Sequence, residues 1–177
     1  MARHEQTHSQ SRKIALCGMM TALSVVILSL GSLIPLATFA CPLLAMICLL
    51  PVVCDYGASA AAAVYAAAAV LGLLLCPDKE IALFYVFLGW YPGIRARLDK
   101  LPRLIRGAVK CGLFTLSVAV MYALILYLLR LEAVVEEFSD YSTAMVMILL
   151  VLGNVMFLIF DRVLALLSLM YEKKRKK

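Results

Sequence analysis

Ile14 to Leu33 is a run of twenty residues without a single charge, and it is followed by five further apolar segments separated only by short polar pieces. A bilayer's hydrocarbon core is crossed by about 20 apolar residues in a helix. Such runs cannot be distributed over the surface of a water-soluble domain, so the pattern predicts helices in lipid. Composition agrees: 64% of the residues are hydrophobic and 16% charged, far from the mixture of a soluble fold. The expected fold class is all-α, a polytopic integral membrane helical bundle.

The remaining segments are Pro42 to Val53, Gly57 to Leu75, Ile81 to Tyr91, Ala108 to Leu129, and Thr143 to Phe160 with an apolar extension to Met170. The second and fourth are short. Pro35, Pro42 and Pro51 punctuate the second, and Pro77 and Pro92 bound the fourth, because proline lacks a backbone donor and clashes with the preceding turn. Each short segment is either a tilted full crossing or a re-entrant one. The chain divides into an N-terminal tail (1–13), one transmembrane domain (14–170) and a basic tail (171–177).

The first run differs from a secretory signal. It exceeds the usual apolar core of one, and Thr38 occupies the place before Cys41 where a lipoprotein signal carries a Leu-like residue. It is read as an uncleaved membrane helix.

Basic residues give the orientation, since lysine and arginine in short loops stay on the cytoplasmic side. Of the 17, fourteen lie in three groups: Arg3, Arg12 and Lys13; Arg95, Arg97, Lys100, Arg103, Arg106 and Lys110; and Lys173 to Lys177. Six crossings with both termini cytoplasmic place all three groups inside and "LEAVVEEFSDYS" outside. Four crossings with both short segments re-entrant do the same; five or seven do not. Tyr56, Trp90, Tyr91 and Tyr171 then fall near inner ends, and Tyr127 and Tyr141 near outer ends, as an aromatic belt would.

Chemistry-bearing residues are scarce. The two histidines, His4 and His8, are in the N-terminal tail, and Asp55, Asp78, Glu80 and Asp161 are expected at helix ends. No paired carboxylates, H-E-x-x-H, G-x-S-x-G or phosphate loop occurs. An enzyme is not expected, nor a metal or cofactor. The six cysteines contain no C-x-x-C pair, so neither a zinc site nor a disulfide framework follows; only Cys41 and Cys76 fall near one membrane face. Charge spread along loops without a recognition element argues against nucleic acid. The central basic loop is explained by inside retention, with anionic lipid or an acidic partner surface as its other use.

At depth the polar candidates are Asn154, Tyr65, Thr115 and Ser117. An unpaired amide in hydrocarbon costs a few kcal/mol, so Asn154 must meet another helix or a polar solute. Transporters place solutes where short or broken spans free their helix ends, which adds Thr38, Asp78, Lys79 and Glu80 as candidates for an outer mouth. Their ordinary alternative is loop and capping chemistry, with Asp78 as an N-cap. The segment "GASAAAAVYAAAAVLG", residues 57–72, offers small side chains on every face and is expected in the middle of the bundle, with Tyr65 as its one large polar-tipped group.

In "RKIALCGMMTALSVVIL", Ala15, Gly18 and Ala22 share a helical face that admits a close neighbour. With six spans in under 200 residues and both termini inside, this stretch resembles the substrate-binding S-components of energy-coupling factor (ECF) transporters. The resemblance implies a membrane subunit that takes up a vitamin-like micronutrient in its outer half. It also implies docking through the small-residue face of the first helix on a transmembrane coupling subunit driven by two ATPases. By position Gly18 and Ala22 carry that face, with Ala15 a turn earlier; Met19 and Val26 depart from a literal A-x-x-x-A repeat. The reading from the other class is a small structural or assembly membrane protein without a solute site.

Overall fold

The computed structural model describes residues 2–32, 39–125 and 143–175. Among them seven helices occur: α1 (Ala2–Gly31), α2 (Ala40–Ile47), α3 (Leu49–Leu75), α4 (Lys79–Leu88), α5 (Tyr91–Leu98), α6 (Arg103–Leu124) and α7 (Thr143–Arg175). Four stretches are long and apolar enough to cross a membrane: Gln10–Gly31, Leu49–Leu75, Ile105–Leu124 and Met145–Lys174. The fold is therefore all-α, with several candidate spans. Thr38, Tyr127, Tyr141 and the acidic 131–142 segment lie outside the described residues. The chain divides into two compact units, residues 1–96 with 166–177, and residues 97–165.

The first unit is organised by the inner stripe of α1. Thr21, Ser24, Leu28 and Gly31, at helical spacing, are buried, and α1 packs on both α2 and α3. The Ser24 hydroxyl lies 2.8 Å from the Met20 carbonyl of its own turn and 3.3 Å from the Ala45 carbonyl of α2. A side chain at Gly31 would place its Cβ 2.8 Å from Cys41 Cβ, so a glycine there sets how closely α2 approaches. All six cysteines are free thiols.

Directions follow from who meets whom. Gly31 and Ser24 on α1 meet Cys41 and Ala45 in reverse order, so α2 runs antiparallel to α1. Lys13 lies 5.8 Å from the Tyr56 ring, whereas Leu28 meets Gly72, and the Cys76 thiol donates to the Leu28 carbonyl at 3.4 Å. Residues 58–75 of α3 therefore run parallel to α1. Between them the backbone leaves helical geometry once, at Gly57 (φ 81°, ψ 178°), a conformation that L-residues avoid. The short second segment thus comprises α2 and the first turns of α3, a return path of roughly 25 Å over residues 40–56. Pro42 and Pro51 sit in the first turns of α2 and α3, where an intrahelical donor is not needed.

The alanine helix is not the centre of this unit. Ala60, Ala61, Val64, Ala68, Ala69 and Gly72 are buried, but Ala62, Ala63, Ala66, Ala67 and Val70 are exposed. Small side chains bring one face of α3 close to α1 and leave the other open. The core position belongs to α4, in which Ile81 through Tyr85 and Leu88 are all buried.

In the second unit, α6 carries a stripe of Phe114, Met121 and Ile125, and α7 one of Phe157, Phe160 and Leu164. Phe114 and Phe157 stack with centroids 4.8 Å apart at 24°. Gly153 faces the edge of Phe114, to which a Cβ would come within 3.3 Å.

Candidate functional site

Helix α4 is about 15 Å long at ten residues, half a hydrocarbon core, so at least one of its ends needs protein to satisfy its backbone. At its start, Asp78 accepts from the Glu80 backbone N–H at 2.9 Å, the N-cap expected of it. Glu80 is half-buried in the first turn. Lys79 turns back instead and donates to the Leu73 and Cys76 carbonyls, each at 2.9 Å, closing the C-terminus of α3. Asp78 and Lys79 therefore seal the α3–α4 junction.

The other end of α4 answers what Tyr65 is for. Its hydroxyl donates to the Val86 carbonyl, Trp90 Nε1 donates to the Phe87 carbonyl at 2.6 Å, and Gly89 N–H donates to the Tyr85 carbonyl at 2.7 Å. Three of the four terminal carbonyls of a helix that stops partway along α3 are thus satisfied. Gly89 lies against the Tyr65 ring, where a Cβ would meet ring carbons at 3.0 Å. After the Gly89–Trp90 turn the chain resumes as α5. Tyr91 is buried.

Tyr85, beside Tyr65 with ring centroids 5.9 Å apart, is the exception. Its side chain is fully buried and its hydroxyl has no hydrogen-bond partner within bonding geometry among the described residues, with Ser24, Cys48 and Tyr65 near it.

Asn154 and Tyr65 belong to different units, and each has its own partner. Asn154 Nδ2 donates to Thr115 Oγ1 at 3.0 Å and to the Leu150 carbonyl at 2.9 Å, and the Thr115 hydroxyl lies 3.3 Å from Asn154 Oδ1. The amide joins α6 to α7. These two residues border a largely apolar cleft of about 650 Å³, with Cys111, Leu116, Val151 and Val155 among its other walls.

Ala15, Gly18 and Ala22 are exposed on the side of α1 away from its buried stripe, and nothing lies within 4 Å of a Cβ built on Gly18. At the same end of this unit, Tyr171 donates to Asp55 at 2.7 Å.

The strongest electrostatic feature is one that the loop and helix-end assignments concealed. Lys110, counted with the loop cations, is 3% exposed and donates to Asp99 Oδ1 and Asp161 Oδ2, each at 2.7 Å. Asp161 is not at a helix end but well inside α7. The clamp ties the α5–α6 connection, α6 and α7 together. Its trace in the sequence is the lysine of "AVKCGLF" and the aspartate of "LIFDRVL", charges set in largely apolar stretches, since a charge at depth needs a partner. Among the described residues no three His, Cys, Asp or Glu converge as metal ligands would.

This architecture defines a class, a helical multi-span membrane protein. No family model, curated protein or solved structure matches the chain.

Proposed function

We propose that this protein is the solute-binding subunit of an ECF-type importer of vitamin-like micronutrients. It sits in the cell membrane with six crossings and both termini in the cytoplasm, and docks through α1 on a coupling subunit driven by ATPases. The observation that carries the reading is the open seam of Ala15, Gly18 and Ala22: the chain buries Thr21, Ser24, Leu28 and Gly31 on one side of α1 and leaves these three small residues exposed. The parallel course of α1 and residues 58–75 supports a crossing by the second segment, because both helices start at one end of their unit. Helix α4, which ends partway along its neighbour, supports a broken fourth crossing of the kind that transporters use. Asp78 and Glu80 would border the outer mouth of the first unit, with Tyr65 deeper.

The test is affinity purification of the full chain from its native membrane. Wild type should bring down one membrane subunit and two ATPases, and Gly18→Leu should lose them while the protein remains folded. Equal recovery of partners with both, or no partner with wild type, defeats the proposal. A second reading, an assembly protein without a solute site, is favoured by one observation: the polar groups of Tyr65 and Asn154 are already engaged by protein. Extraction of a small molecule from purified wild type would exclude it.

A further inference from the structure

The clamp around Lys110 sorts the charges of the second unit. Asp99 and Asp161 both turn to one buried lysine, while the cations beside them turn outward. Arg97 and Lys100, flanking Asp99, are exposed; Arg106, one turn before Lys110 on α6, is half-buried; Arg162, next to Asp161 on α7, is exposed. None of these four pairs with a carboxylate among the described residues. Each lies within four residues of a clamp member, and the two 2.7 Å contacts bring together the three segments that carry them.

Two placements identify what these cations meet. Lys110 lies five residues inside the start of the apolar stretch Ile105–Leu124, about 7 Å along the axis, so Arg106 and the loop before it reach the headgroup layer. Arg162 is flanked by the exposed apolar side chains of Leu158, Ile159 and Val163. A guanidinium emerging from such a surface faces lipid rather than an acidic protein, and it extends to the nearest phosphate.

We infer that Arg97, Lys100, Arg106 and Arg162, with the neighbouring carboxylates withdrawn onto Lys110, form a binding patch for an anionic phospholipid headgroup. The phosphodiester accepts from the arginines bidentately and from Lys100 as a point charge. The inference stands independently of any role in transport.

Native mass spectrometry of the full chain, released from micelles containing equal phosphatidylglycerol and phosphatidylcholine, tests it. Wild type should retain phosphatidylglycerol preferentially. Arg162→Gln should lower the preference by about fivefold and Arg97→Gln/Lys100→Gln by more, at roughly one cation's worth each. Arg12→Gln, a cation on α1, should leave it within about twofold. All the side chains replaced are exposed, so the variants should fold, and unchanged helical circular dichroism checks that they do. No preference in wild type overturns the inference, and so does an equal loss with Arg12→Gln, which would mark diffuse net charge. Loss of a co-purifying protein from Arg97→Gln/Lys100→Gln with lipid retention intact would also overturn it, assigning the patch to a protein partner.

Discussion

Replacing Lys110 with methionine keeps the length of the side chain and removes its charge. The lysine is almost fully buried, with carboxylates from two other segments at 2.7 Å. Asp161, 13% exposed, loses a cation that water cannot replace; Asp99, 30% exposed, recovers part of its solvation. Removing one partner of a buried pair costs 3–5 kcal/mol. With one of the two carboxylates partly screened, the expected loss is about 3 kcal/mol. Reversible unfolding by SDS in mixed micelles measures it. A double-mutant cycle separates the pair from the general effect of substitution: Lys110→Met/Asp161→Asn should be less destabilised than the sum of its parts by at least about 1 kcal/mol. Strict additivity, or a Lys110→Met variant within about 0.5 kcal/mol of wild type, would refute the claim that the clamp holds these helices together.

Tyr65→Phe removes the donor that closes the end of α4 and should cost about 1–2 kcal/mol, read as a lower unfolding midpoint; no change would mean that another group reaches the Val86 carbonyl. Gly31→Val puts a branched side chain where even a Cβ sits 2.8 Å from Cys41, so a loss of about 1–3 kcal/mol is expected, with Gly18→Val as the control that meets nothing. Tyr85→Phe discards a buried hydroxyl without a partner and should be neutral or stabilising; a loss above about 1 kcal/mol in thermal unfolding would reveal a partner for that oxygen.

How much of the site is legible in the sequence depends on the range of the interaction. Asp78 as an N-cap is a local matter, two residues from the amide it accepts, and its position before "KEIALF" announces it. The break at Gly57 is local too, because one residue's φ decides it. Tyr65 is different. Its identity as the one polar-tipped group in an alanine helix is plain, but its partner Val86 lies 21 residues on, and the partner's carbonyl is free only because α4 ends there. The clamp spans 51 residues from Lys110 to Asp161, so counting charges by segment assigned one to a loop and the other to a helix end.

The sequence by itself determined the solvent and the elements: apolar runs of membrane length, interrupted by prolines and a glycine, form helices in lipid, since only internal hydrogen bonding satisfies the backbone there. Tertiary structure decided which helix is buried. Alanine content pointed to α3, yet small side chains only permit close approach and do not choose which neighbour makes it. Apolar groups in lipid gain little from leaving it, so hydropathy cannot rank the helices by burial. The ranking comes from polar ends that need partners. Helix α4 is central because protein closes its polar ends, Asp78 at one and Tyr65 and Trp90 at the other.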